Sequence, residues 1–173
     1  CIYQGKFNST IQNLTKYEGF SKIFKDKEID RMEKEEYILR FFALYENFDS
    51  YKQDIKTFLD EYSNEKMKMN ELSDDNFTVQ TNKLILKFKK AVDLNIAVFG
   101  INAFKYCDDK NKMHKVNYKS LSKSVYDLQM LGFADFDSEL IIRHKDEIKK
   151  RYEELVLKNE SMRPSYKKMS KKA

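Results

Sequence analysis

Glycine and proline are scarce in this sequence of 173 residues, which contains four glycines and a single proline. An all-β sandwich or barrel needs many tight turns, and tight turns draw on these two residue types. Their scarcity therefore favours long helices. No apolar run reaches the length of a membrane-spanning helix, so we expect no contact with a membrane. The predicted fold class is all-α, a single-domain helical bundle of about six or seven helices.

Cysteine and histidine are also rare, with two residues of each type. Cys1 and Cys107 lie far apart and form no CxxC motif, so a reduced, cytoplasmic protein is the simplest interpretation. A single disulfide bond between the two cysteines is the alternative. His114 and His144 have no Cys, Asp or Glu at the spacing of a recognised zinc motif, so we predict no metal site. His144 falls on an apolar helical stripe, which predicts a packed side chain.

Motifs of catalysis are missing as well. The sequence has no GxSxG, no glycine-rich phosphate loop and no cysteine with a histidine nearby in the chain. The carboxylate pairs Asp74–Asp75 and Asp108–Asp109 lie in polar stretches and are interpreted as helix caps or turns. We therefore predict no catalytic residue and no cofactor in this chain.

Aromatic and apolar residues, in contrast, are abundant, with 13 Phe, 11 Tyr and a hydrophobic fraction of 41%. This is enough for a packed core although 35% of the residues are charged. Apolar residues recur at helical spacing and predict a first helix from Asn8 or Ser9 to Gly19. Further helices are predicted over about residues 31–48, 50–67, 75–99 and 117–131, and from residue 138 onward. The polar stretch "KYCDDKNKMHKV" between them is predicted to be an exposed loop.

The segment "EEYILRFFALYENF" places five aromatic rings around one arginine, Arg40. Glu36 precedes Arg40 by one helical turn, in the orientation that favours an ion pair. We predict that the stem of Arg40 packs on the rings at the edge of the core while Glu36 holds its guanidinium group. This makes Glu36 and Arg40 a structural pair.

Positive charge is concentrated at the carboxyl end. Residues 143–173 contain 11 Lys and Arg against 5 Asp and Glu, whereas the rest of the chain is close to neutral. The sequence divides into a helical domain, residues 1–158, and a basic flexible tail, residues 159–173. The basic side chains are candidate contacts to nucleic acid, or else a solvated surface. They are Lys149, Lys150, Arg151, Lys167, Lys168, Lys171 and Lys172.

Several phrases together resemble a known family. They are, in order, "YQGKFN", "RMEKEEYILRFFALY", "FLDEY", "VFGINAF" and "VNYKSLSKSVYDL". They are similar to the helical region of the domain-of-unknown-function-262 proteins, the GmrSD-type restriction and anti-phage family. The resemblance extends from about Tyr3 to Tyr152. The family fingerprint matches here at Arg31, Glu36, Leu39, Arg40, Phe41, Phe99, Gly100, Ala103 and Phe104.

The resemblance implies a function outside this chain. In the family, the chemistry belongs to an upstream ParB-like domain with an Asp-Gly-Gln-Gln-Arg motif, which acts on nucleotide and DNA, and many members add a downstream HNH-type nuclease. Neither motif is present here, and the chain begins at Cys1 rather than Met, so we expect a piece of a longer protein. The parent would be a bacterial, nucleotide-dependent DNA endonuclease, and this piece a non-catalytic subdomain that packs on the ParB-like half. A contact with DNA is a further expectation. The alternative is a stand-alone nucleic-acid-binding or protein-interaction module.

Overall fold

The computed structural model describes residues 5–24, 29–52, 54–109 and 116–158. Within these ranges the chain forms eight α-helices and one antiparallel pair of strands, which confirms a mostly α-helical single domain. The helices are α1 (Lys6–Leu14), α2 (Glu18–Ile23), α3 (Arg31–Asn47), α4 (Ile55–Met67), α5 (Asp74–Phe99), α6 (Lys123–Ala134), α7 (Ser138–Arg143) and α8 (Lys145–Lys158). The strands are β1 (Lys105–Asp109) and β2 (Val116–Leu121).

Side-chain caps fix where several helices begin. Asp30 accepts a hydrogen bond from the backbone N–H of Glu33 at the start of α3, over 2.7 Å. Asp137 does the same for the N–H of Leu140 at the start of α7, over 2.9 Å. Such caps satisfy N–H groups that have no partner inside the helix. The end of α5 is also determined by a local signal. Gly100, which follows the helix, has a φ angle of +59°, and this conformation favours glycine.

Helix α5 lies at the centre of the core, as its apolar spacing predicts. Phe88 in α5 has no exposed surface, and its ring centroid lies 5.6 Å from that of Phe20, 5.7 Å from Phe41 and 6.1 Å from Phe42. Helices α2 and α3 are therefore joined to α5 through one aromatic cluster. The two adjacent phenylalanines of α3, Phe41 and Phe42, are both buried, and both make edge-to-face contacts with Phe88.

The region after α5 differs from the prediction. Residues 105–109 are a strand and not part of an exposed loop, and the helix predicted from Asn117 begins only at Lys123. Cys107 has no exposed surface and faces Tyr118 across the strand pair, while the Tyr118 hydroxyl donates to Glu153 of α8 over 2.7 Å. This contact with a distant helix selects a strand where the local pattern favours a helix.

Three smaller predictions on helix limits are also wrong. Gly19 does not break a helix but lies inside α2, where its missing side chain allows close approach to α5. A Cβ atom at Gly19 would lie 3.2 Å from Cγ1 of Val92. Gly132 does not end α6, which continues to Ala134. The last predicted helix is divided at His144 into α7 and α8, and the His144 side chain is 49% exposed rather than packed.

Candidate functional site

A buried ion pair joins α3 to α6. The side chain of Arg40 is only 8% exposed. Its Nε donates to Oδ1 of Asp127 over 3.1 Å, and its Nη2 donates to Oδ2 of the same carboxylate. This two-point geometry fixes the orientation of both groups as well as their distance. Arg40 is therefore a structural element at the contact between two helices that lie far apart in sequence.

A second pair lies one helical turn away and extends this contact. Lys123 donates to both carboxylate oxygens of Glu36, over 2.8 and 2.7 Å. Glu36 also lies 3.9 Å from Nη1 of Arg40, so the partner selected by sequence spacing is near but is not the closest. Glu36, Arg40, Lys123 and Asp127 form one network, here called the α3–α6 charge network.

Burial and charge act in opposite directions on the pKa values in this network. Desolvation lowers the pKa of Arg40, but the hydrogen bonds and charge of Asp127 outweigh it and raise the pKa overall. Desolvation raises the pKa of Asp127, and the guanidinium group of Arg40 opposes that rise. The buried charge of Arg40 is therefore stabilised by Asp127, and the buried charge of Asp127 by Arg40.

An apolar groove lies beside the charge network, between α1, α3 and α4. Its volume is about 590 Å³, within the range of small-molecule and cofactor sites. Phe7, Ile11 and Leu59 line it as buried apolar side chains. The methionines Met32 and Met67 also line it, and they are 73% and 40% exposed. Methionine adapts its shape to different neighbours, so this lining suits a surface that is covered by another chain.

Charged side chains also line the groove. Arg31, Glu35 and Glu36 come from α3, and Lys56 and Asp60 come from α4. Nε of Arg31 lies 3.1 Å from Oε1 of Glu35, which makes no hydrogen bond of good geometry with other described residues. Glu36 belongs both to this lining and to the charge network. The groove and the α3–α6 contact are therefore physically connected through one residue.

The residues that carry the family resemblance separate into two groups. One group is buried in the core and comprises Arg40, Phe41, Phe99, Ala103 and Phe104. The other group lines the groove and comprises Arg31, Glu36 and Leu39. Gly100 belongs to neither, since it ends α5. The residues of the first group are accounted for by packing in the core. In the second group Arg31 is exposed, whereas Glu36 and Leu39 are half-buried and also contact Lys123 and the core.

The basic candidates are only partly within the described chain. Lys149, Lys150 and Arg151 lie on α8, and Arg151 is near Glu147 at 3.9 Å and Glu154 at 3.8 Å, which reduces its free positive charge. Lys167, Lys168, Lys171, Lys172 and the predicted tail lie outside the described residues, and so does His114. The described basic residues are on a different helix from those that line the groove.

Sequence reasoning missed Asp127 and the groove. Asp127 follows Lys123 by one turn, as Arg40 follows Glu36, and this matching of opposite charges was the available signal. Within the same helix, α6, Leu128 is 49% exposed, whereas Tyr126 and Met130 are buried. A groove depends on how three helices pack, and no local pattern encodes it.

In ranges 5–24, 29–52, 54–109 and 116–158, no group of three or more His, Cys, Asp or Glu side chains could hold a metal ion. Over the same ranges, no helix combines the length and apolar character needed to cross a membrane.

No protein-family model, no curated protein and no solved structure matches the chain.

Proposed function

We propose that this chain is the non-catalytic helical subdomain of a bacterial defence-type nuclease or NTPase, and that it binds the ParB-like half of its parent protein. The groove between α1, α3 and α4 is the binding surface. The family resemblance supplies the identity of the partner. The observation that carries the proposal is the position of Arg31, Glu36 and Leu39, which line one open groove. Glu36 also pairs with Lys123 and Leu39 also packs against the core, so Arg31, with 72% of its side chain exposed, is the member whose position packing does not explain.

The character of the groove fits a protein partner. Apolar side chains line it and offer a surface whose burial favours association, while the charged residues of α3 and α4 restrict which segment fits. Met32 is exposed, and an exposed methionine next to buried apolar side chains is suited to becoming buried on binding. The α3–α6 charge network holds α3, the helix that contributes Arg31, Glu36 and Leu39, in a fixed position.

Replacing Met32 with glutamate is expected to weaken binding of the upstream half by about tenfold or more, because a charge would be buried in an apolar contact. Since Met32 is 73% exposed, the melting temperature should remain near that of the unaltered chain. Isothermal titration calorimetry with the separately purified upstream half measures the affinity.

A matched control is Ile142→Glu, which places the same charge at an apolar residue that is 52% exposed on α7, outside the groove lining. Its affinity should equal that of the unaltered chain. Equal losses in both variants would remove the groove from the proposal, and an upstream half that does not bind the unaltered chain at all would overturn the proposed partner.

The alternative function is a nucleic-acid-binding module that uses the basic carboxyl end. One observation favours it: Lys149 and Lys150 lie on α8, and neither makes an ion pair with another described residue. This alternative predicts that the chain binds duplex DNA, that affinity falls steeply with salt, and that truncation after Asn159 weakens binding. Fluorescence anisotropy across a salt series measures this, and absence of binding at low salt would exclude the alternative.

A further inference from the structure

The outer face of α5 carries a row of side chains, exposed except for the half-buried Lys90, that is here called the α5 outer stripe. Val79 and Leu86 are its apolar members, with 76% and 60% of their surface exposed. Successive members are three or four residues apart or adjacent, so a helix with 3.6 residues per turn places all of them on one face. The stripe comprises Asp75, Val79, Asn82, Lys83, Leu86 and Lys90.

The α5 outer stripe lies opposite the face that packs into the protein. The buried residues of this part of α5 are Phe77, Thr81, Leu84 and Phe88, which follow one another at the same three- and four-residue spacing. Because the two faces are half a turn apart, another helix can pack on the stripe without displacing the core. Two large aliphatic side chains in such a position have no use in the packing of the described chain.

The order of side chains along the stripe is self-complementary. Val79 and Leu86 lie at equal distances from the midpoint between Asn82 and Lys83, and so do Asp75 and Lys90. If two copies of α5 pack antiparallel about that midpoint, Val79 of each copy faces Leu86 of the other. The same arrangement brings Asp75 of each copy towards Lys90 of the other.

We propose that two copies of this chain associate through the α5 outer stripe, antiparallel and related by a two-fold axis. A contact of this kind uses the same patch on both copies, as two-fold dimers do. Parallel packing would bring Asp75 against Asp75 and Lys90 against Lys90, so the charges select the antiparallel arrangement. A second copy is the occupant because the stripe supplies both members of the Val79–Leu86 pair and of the Asp75–Lys90 pair. Lys83 lies next to the axis and faces Asn82 of the other copy.

The two charges needed for this contact differ in their contacts within the chain. Asp75 forms no ion pair with any other described residue, in contrast to the adjacent Asp74, which binds Lys6 over 2.7 Å. The ammonium group of Lys90 donates to the backbone carbonyl oxygen of Phe136 and its charge lowers the pKa of Asp135, so pairing with Asp75 of a second copy requires it to share or exchange these contacts. Neighbouring Lys87, on the flank, is already paired with Asp135 over 2.6 Å.

The size of the contact indicates a reversible dimer. The stripe spans a rise of about 24 Å along the helix, which is short for a permanent interface. We therefore expect a dissociation constant in the micromolar range, on the order of 10 μM. This association involves α5 and is independent of the groove between α1, α3 and α4.

Sedimentation velocity of the full chain over a range of concentrations tests the proposal. The unaltered chain should show a monomer–dimer equilibrium, and Leu86→Glu should weaken it by about tenfold or more. The matched control is Leu155→Glu, at a leucine of α8 that is 48% exposed, and it should leave the equilibrium unchanged. A chain that stays monomeric at all concentrations, or a dimer that Leu86→Glu does not weaken, would overturn the proposal.

A charge exchange separates this contact from a general effect on folding. Asp75→Lys alone and Lys90→Asp alone should each weaken the dimer, because like charges then face each other. An equal mixture of these two variants should form heterodimers, and one chain that carries both substitutions should dimerise again. Failure of both the mixture and the double variant to restore association would contradict the antiparallel arrangement.

Discussion

Replacing Arg40 with alanine is expected to lower the free energy of unfolding by about 3–5 kcal/mol, the cost of leaving one member of a buried ion pair without its partner. Asp127 would then carry a charge without its partner, and only 18% of its side chain is exposed in the native protein. Glu36 and Lys123 would remain paired with each other, and the charge of Lys123 would still lower the pKa of Asp127, without the two hydrogen bonds that Arg40 donates. Urea denaturation followed by circular dichroism measures the difference.

A paired substitution distinguishes the broken pair from lost packing. Arg40→Met together with Asp127→Leu removes both charges and keeps apolar volume, so it should cost far less than Arg40→Ala alone. If the double variant is as unstable as the single one, the ion pair is not the reason for the loss. If Arg40→Ala lowers the free energy of unfolding by less than about 1 kcal/mol, the ion pair contributes no more than a surface salt bridge does.

The loss in Arg40→Ala should also depend on pH. Burial raises the pKa of Asp127, and removal of Arg40 takes away the group that opposes the rise. A carboxyl group whose folded pKa lies above its unfolded value destabilises the fold fully above that folded pKa, and the penalty shrinks as the pH falls from the folded pKa to the unfolded pKa. The stability difference between Arg40→Ala and the unaltered chain should therefore be largest near neutral pH and shrink on acidification. A difference that grows on acidification would contradict this reasoning.

Replacing Phe88 with alanine is expected to cost about 3–5 kcal/mol, because it leaves a cavity at the point where α2, α3 and α5 meet. The Phe88 ring contacts Phe20, Phe41 and Phe42, and none of these can move into the space without leaving its other neighbours. We expect a lower denaturation midpoint with an unchanged dependence on urea, since the same surface unfolds.

Leu86→Ala is the matched control for Phe88→Ala. Leu86 lies in the same helix, only one half-turn away, but is 60% exposed. Its truncation should change the free energy of unfolding of the monomer by no more than about 0.5 kcal/mol. Both variants should be measured at low protein concentration so that association does not contribute. Equal costs in the two variants would mean that α5 is not oriented as described.

The helices were predictable where a short-range pattern decided them. In α3 and α5, apolar residues recur at helical spacing, and Asp30 and Ser73 cap the two helices through hydrogen bonds to residues three positions later. Gly100, with its positive φ angle, ends α5 as predicted. These signals depend only on residues within a turn or two of each other, so the sequence shows them directly.

The strands and the charge network were not predictable in the same way. Residues 116–121 are a strand because β2 pairs with β1 and because Tyr118 is bound to Glu153, which lies 35 residues away. Arg40 and Asp127 are separated by 87 residues, so spacing on one helix could only suggest Glu36. Contacts between segments distant in sequence determine both features. A single sequence does not show which distant segments will come into contact.

The measurement that tests the central claim most directly is photo-crosslinking from the groove. A photoreactive amino acid at position 32 of the full chain, mixed with the upstream half of the parent protein, should give a crosslink that mass spectrometry locates in that half. The same residue at position 142, outside the groove lining, is the control and should give none. Crosslinks from position 32 to the upstream half alone are the predicted result. Crosslinks from position 142 with none from position 32 would contradict the account.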